Sequence, residues 1–311
     1  MKIVFMGTPA FAVESLKILI ENHFNIAAVI TAPDRPAGRG KKLKSSAIKD
    51  FAVAQNLAIL QPTNLKDPDF NAHLKSINAD LFVVVAFRML PKIVWSLPKY
   101  GTINLHASLL PNYRGAAPIN WALINGEKKT GVTTFFIEEK IDTGEIINQK
   151  EIEILDHDNV GMLHDKLMKI GATVLKDTVK AISNQNYVAL KQESFNLSEI
   201  KAAPKLNKQT GKINWANTTQ SINNLIRGMS PYPGAWTTIE IDNNKLMLKI
   251  FSASISEKQL ETGQISVNND KLYIGCLDGC IKLAEIQLEG KKRMHADQFL
   301  RGARITNLEC T

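Results

Sequence analysis

The sequence predicts an α/β protein: a Rossmann-like, mostly parallel sheet flanked by helices, followed by a small C-terminal β-barrel of OB-like type. Three observations carry this expectation. Short apolar runs alternate with helix-period segments through the first half of the chain. One of those runs, Asp80–Ala86 (DLFVVVA), is apolar at every position after the aspartate, as a strand buried on both faces requires. Past a polar break, the pattern changes to short β-like runs separated by Asn-rich and Asp-Gly turns.

The elements follow in chain order. Lys2–Met6 (KIVFM) reads as a strand that turns at Gly7-Thr8-Pro9 into a helix reaching Glu21. Asn25–Thr31 is a second strand. Ala47–Gln55 and Asp69–Ile77 have helical spacing. Further strands are expected at 80–86, 102–107, 131–137 and 145–154, and the apolar spacing over Asn159–Ile182 predicts a long helix. Residues 186–206 are polar and aperiodic, and Ala202-Ala203-Pro204 marks a break. The expected division is an α/β domain over 1–188, a linker over 189–206 and a β-domain over 207–311. That last domain should hold one helix near Thr218–Gly228 and five strands, at 235–241, 245–254, 263–267, 271–276 and 280–288.

Bulk properties narrow the function classes. The 311 residues are 44% hydrophobic and 22% charged, enough for a sizeable core. No run approaches the roughly 20 apolar residues of a membrane span, so no membrane partner is expected. The opening MKIVFMGTPAFAVESLKILI is broken by Gly7-Thr8-Pro9 and charged by Glu14 and Lys17, which reads as strand, turn and helix rather than a leader. Three cysteines without a C-x-x-C pair give no disulfide framework and point to reduced thiols in a cytoplasmic protein. The six histidines do not gather at zinc spacing, so no metal is expected. A net charge of +8 and a pI near 9.2 suit an anionic partner such as nucleic acid, or simply a basic protein. The first turn carries one glycine and lacks G-x-G-x-x-G, and neither a G-x-S-x-G elbow nor a phosphate loop occurs.

The stretch TINLHASLLPNYRGAAP, 102–118, holds the strongest chemical signal. Asn104 and His106 are two apart on a strand, so they share a face, near the carboxyl end where open α/β sheets place ligands. An imidazole exchanges protons near neutral pH, and a carboxamide donates to a developing oxyanion. The pair suits acyl transfer through a tetrahedral intermediate; the alternative is a hydrogen-bonded pair that caps the strand. Asp142, in Asp-Thr-Gly, is either the head of a turn between two strands or a third catalytic group. A lone triplet does not make an aspartic protease, which shares a proton between two carboxylates. The loop TAPDRPAGRGKKLKS, 31–45, carries Arg35, Arg39, Lys41, Lys42 and Lys44 against one aspartate. Such a loop either tracks phosphates or is a solvated charged turn.

Taken together, FMGTPAFA, APDRPAGRGKKLK, INLHASLLPNYRGAAP and IDTGEI resemble the folate-dependent formyltransferase family along nearly the whole chain, and the basic loop with the small β-domain resembles its tRNA-directed members. The resemblance implies 10-formyltetrahydrofolate as formyl donor, without a metal, and the α-amino group of methionine on initiator tRNA as acceptor. Other members act on aminosugar nucleotides or a ribonucleotide, which is the alternative acceptor class. The resemblance further implies that Asn104, His106 and Asp142 are the catalytic trio and that Ser108, Leu109, Leu110 and Pro111 form a folate-contacting turn. Arg39, Lys41 and Lys42, flanked by Arg35 and Lys44, would meet the tRNA acceptor stem. Phe87 and Leu90 would line the pterin pocket, although Arg88 between them stands where relatives carry a small residue. A monomer is expected.

Overall fold

Lys2–Gly7 lies inside a seven-stranded sheet of the computed structural model, which describes every residue except 38–41, 196–199, 242–243, 303–307 and 311. From one edge to the other the strands are Ile146–Glu153, Lys129–Phe136, Thr102–His106, Leu81–Val85, Lys2–Gly7, Asn25–Ile30 and Ile59–Leu60. The pairings from Thr102–His106 to Ile59–Leu60 are parallel. Lys129–Phe136 then runs antiparallel to Thr102–His106. This is the expected Rossmann-like sheet, with Thr102–His106 at the change of direction.

Burial explains the order. Every residue of Leu81–Val85 is buried, and so are residues 3–7 of the neighbouring strand. Fully burying one such Val, Ile or Phe stabilises the fold by about 1.5–3 kcal/mol relative to exposure, so the most apolar strands take the middle. Two of the helices begin at a side-chain cap. Ser46 Oγ accepts from Lys49 N at the start of Ala47–Ala54, and Asp67 Oδ1 accepts from Phe70 N ahead of Pro68–Ser76. The long helix spans Val160–Ser183.

The β-rich part is an antiparallel sheet built from Ala235–Ile241, Asn244–Ser256, Ile265–Asn268, Lys271–Cys276, Gly279–Leu288 and Leu308–Cys310, with Met294–His295 paired at its side. Asn269 and Asp270, both at positive φ, make the two-residue turn between the strands they separate. The amphipathic helix Thr219–Met229, capped by Thr218, buries Ile222, Ile226 and Met229 among Ile239, Leu248, Ile250, Ile274, Ile281 and Ile286.

Three short helices lack a periodic signal in the sequence. Lys92–Trp95, Pro118–Ile124 and Ala296–Gly302 are four to seven residues long, too short to display a helical period. Within the basic loop, Arg35–Ala37 pairs antiparallel with Lys42–Lys44.

The chain forms two compact units that interleave in sequence. One comprises Met1–Gly115, Gly131–Ile152 and His164–Ala202; the other comprises Ala116–Thr130, Glu153–Leu163 and Ala203–Thr311. Pro118–Ile124 thus packs with the β-rich unit, where Asn120 Nδ2 donates to Gly228 O at 2.7 Å.

Candidate active site

Asn104 and His106 sit on the same face at the carboxyl end of their strand. Asn104 lies between Val84 and Phe135 in register, and His106 faces Thr133. The ring of His106 is 7% exposed and meets Phe135 edge-on, with centroids 6.5 Å apart. Its Nε2 is 2.8 Å from Tyr113 O. A carbonyl oxygen can only accept, so Nε2 carries the proton and donates. The other ring nitrogen, Nδ1, faces Asp142 Oδ2 at 3.8 Å. The Asn104 carboxamide, in contrast, makes no hydrogen bond among the described residues and is only half-buried.

Asp142 reaches His106 from a different loop, and that loop is shaped to allow it. The aspartate has φ +54°, in the left-handed region that Asp tolerates better than most residues. Its Oδ2 accepts from Gly115 N at 2.9 Å. Two residues on, Gly144 is pressed against the preceding strand: a Cβ there would stand 1.7 Å from Phe136 O. The structure therefore brings Asn104, His106 and Asp142 together at one end of the sheet.

The Ser108–Pro111 turn follows His106 directly and is held from below. Thr133 Oγ1 donates to Ser108 O at 2.7 Å and accepts from Leu110 N at 3.1 Å. Gln149 Nε2 donates to Leu110 O at 2.8 Å and to Thr133 Oγ1 at 2.9 Å. Ser108 is buried and its hydroxyl donates to Asn112 O. Leu110 and Pro111 are buried, Leu109 is half-buried, and the Leu110–Pro111 peptide is cis. Thr133 and Gln149 were not singled out from the sequence. The one available hint was Thr133-Thr134, a polar pair inside an otherwise apolar strand.

Past the end of Leu81–Val85, Leu90 is buried in the hydrophobic cluster with Val4, Met6, Phe82 and Val94, and Phe87 packs half-buried against the same cluster. Arg88 turns away along the surface. Its guanidinium donates to Thr63 O at 2.9 Å and to Pro62 O, and lies 5.7 Å from the Phe87 ring centroid. The extra side chain thus ties two loops together.

Of the five basic candidates, Arg35 and Lys44 are exposed and face each other across the small hairpin. Lys42 opens its second strand. Arg39 and Lys41 lie outside the described residues. Beside this hairpin, Asp34 is bridged by Lys49 Nζ at 2.5 Å and also accepts from Gln61, and these two bonds lower its pKa from the ordinary carboxylate value. Among the described residues no three His, Cys, Asp or Glu side chains converge as a metal site, and no helix is long and apolar enough to cross a membrane.

A carboxamide with no partner among the described residues, beside an imidazole–carboxylate pair at the carboxyl end of a mostly parallel sheet, could serve acyl-group transfer. The chain belongs to the formyl transferase family: the family's model matches residues 1–179, and that of its C-terminal domain matches 205–304. Its relatives are more particular. A methionyl-tRNA formyltransferase of Flavobacterium johnsoniae is 54% identical over 304 residues, covering 97% of this chain and 96% of the relative. One of Bacteroides thetaiotaomicron is 47% identical over 315 residues, covering 99% and 97%. Among solved structures, a sugar 3N-formyl transferase crystallised in the presence of dTDP and 5-N-formyl-THF aligns with a TM-score of 0.68 at 25% identity, covering 94% of this chain and 99% of that one. HypX from Aquifex aeolicus, in complex with tetrahydrofolic acid, shares the fold with a TM-score of 0.65 at 15% identity, covering 96% of this chain and 47% of that one.

Proposed function

We propose that this enzyme transfers a formyl group from 10-formyltetrahydrofolate to the α-amino group of methionine on initiator tRNA, working as a cytoplasmic monomer without a metal. The observation that carries the acceptor assignment is the likeness to methionyl-tRNA formyltransferases, 54% identical across 97% of the chain. The sugar formyl transferase reaches 25%.

The site residues divide the chemistry. When bound, the donor supplies an activated formyl carbon. The Asn104 carboxamide, without a protein partner among the described residues, fits a carbonyl oxygen that gains negative charge as the amine attacks. His106 takes up the amine's proton and returns it to the departing nitrogen, and Asp142, with Oδ2 3.8 Å from Nδ1, orients the ring. Ser108, Leu109, Leu110 and Pro111 form the donor-side turn, with Phe87 and Leu90 behind it. Arg35, Arg39, Lys41, Lys42 and Lys44 track the phosphates of the acceptor stem, and the antiparallel β-unit serves as the OB-like tRNA-binding part.

The test is formylation by purified protein with 10-formyltetrahydrofolate and either initiator Met-tRNA or a nucleotide-linked amino sugar. Formyl-methionyl-tRNA should accumulate only in the first reaction. Turnover of the amino sugar alone would overturn the acceptor assignment. Folded His106→Ala should lose about 10²- to 10⁴-fold in kcat, and wild-type turnover there would reject the mechanism.

A further inference from the structure

In the polar stretch after the long helix, one buried polar side chain has a full set of bonds that converges on the candidate site. Gln192 has no exposed surface. Its Nε2 donates to Asp142 O at 3.0 Å and to Gly144 O at 2.7 Å. Its Oε1 accepts from Arg114 Nε at 3.0 Å and from Arg114 Nη2 at 2.6 Å. Both amide protons and both carbonyl lone pairs are used, so the side chain has a single compatible orientation. The segment is anchored close by: Leu190 exchanges both backbone hydrogen bonds with Ile146, each at 2.8 Å.

These bonds join the two sides of one contact. Arg114 immediately precedes Gly115, whose N–H holds Asp142 Oδ2. The same amide therefore fixes the donor's loop through Arg114 and the acceptor's loop through the Asp142 and Gly144 carbonyls. We infer that Gln192 is a positioning residue for the formyl-transfer reaction, setting where the Asp142 carboxylate stands relative to His106 Nδ1. Its neighbourhood extends the same function. Lys201 O accepts from Tyr113 N at 2.6 Å, and Tyr113 O is the acceptor for His106 Nε2. Gln192 thus braces the loop of the carboxylate, and Lys201 the loop that holds the imidazole. The bonds of Gln192 go to Arg114 and to the Asp142 and Gly144 carbonyls, so it acts through Asp142.

This inference rests on the catalytic reading of Asp142, and the experiment separates the two. Gln192→Glu keeps the shape and the acceptors for Arg114 but cannot donate to the two carbonyls. It should lower kcat about tenfold to a hundredfold, with the KM of donor and tRNA little changed and the far-UV spectrum retained. Residues that act as a unit are not additive, so Gln192→Glu combined with Asp142→Ala should be no slower than Asp142→Ala alone. If Asp142→Ala turns over normally, the catalytic reading fails. If Asp142→Ala is slow and Gln192→Glu either has no effect or multiplies it in full, the positioning role fails. Should Gln192→Glu not fold, Gln192→Asn, which keeps the amide but retracts it, takes its place in the same cycle with the same two outcomes.

Discussion

Gly144→Ala should couple a backbone clash to lost catalysis, and its size follows from the geometry. The new Cβ would stand 1.7 Å from Phe136 O and 2.9 Å from Phe136 C. A carbon–oxygen approach is comfortable only from about 3.3 Å. Main chain, not a side-chain tip, is in the way, so a rotamer change cannot relieve it. Phe136 is itself fixed, donating from its N to Glu145 O at 3.0 Å. The Asp142–Gly144 turn therefore has to move by more than an ångström, and its bonds to Gln192 and Gly115 go with it.

Overpacking costs about 1–3 kcal/mol, and each buried polar group left unpaired adds about 1–3 kcal/mol. The substitution should thus lower unfolding free energy by roughly 3 kcal/mol or more. A displacement of about 1 Å at a catalytic carboxylate is worth roughly a hundredfold in rate. Urea denaturation and steady-state formylation measure the two effects on one preparation. Gly263→Ala serves as control: φ is +78° with no atom within 4 Å of the added Cβ, so it should lose about 1 kcal/mol of stability from backbone strain and keep full turnover. A Gly144→Ala protein with wild-type kcat and an unchanged urea midpoint would refute the account of the turn.

Three further outcomes are expected. Asn104→Ala removes a carboxamide that bonds to no described residue, so stability should change by less than about 0.5 kcal/mol while kcat falls about 10²- to 10³-fold; a large shift in melting temperature with intact kcat would contradict this. Thr133→Val leaves Ser108 O without the donor, and Leu110 N without the acceptor, that Thr133 supplies, and should cost about 3 kcal/mol and raise the KM of the folate donor more than that of tRNA; kinetics and urea titration read both. Burial, aided by the neighbouring Cys280, pushes the Cys276 thiol up to about 12, so at pH 8 almost no thiolate forms in the folded protein; native protein should resist iodoacetamide at this position and react once unfolded in urea, as peptide mass mapping will show.

How far the sequence goes depends on the distance over which each interaction acts. Leu81–Val85 was legible because burial on both faces leaves an uninterrupted apolar run. The shared face of Asn104 and His106 follows from strand period alone. Asp142 could be read only as a turn or a catalytic group, because its approach to His106 spans 36 positions and depends on a positive φ and on Gly144 packing against a carbonyl. Gln192 was invisible for the same reason. Its partners lie 78, 50 and 48 positions away, and a polar aperiodic stretch gives no sign that its one glutamine is fully buried. Arg88 stood out as a departure, but its direction was set by two carbonyls in a loop 25 and 26 positions earlier.

The two members of the strand pair differ in how the protein treats them, and the difference bears on mechanism. His106 is committed at both nitrogens: Nε2 donates to Tyr113 O, while Nδ1 faces a carboxylate oxygen at 3.8 Å. In the neutral ring this places a lone pair toward the negative charge of Asp142, an arrangement with no hydrogen bond to stabilise it. The ring is therefore held in one orientation by the bond from Nε2 to Tyr113 O. Asn104 is the opposite case, a carboxamide donor that bonds to no described residue. A formyl oxygen that charges and discharges needs a donor free to meet it, and an amine that sheds its proton needs a base already oriented. One strand end supplies both because side chains two residues apart share a face, and the loops that carry Tyr113, Asp142 and Gln192 determine which of the two is tied down.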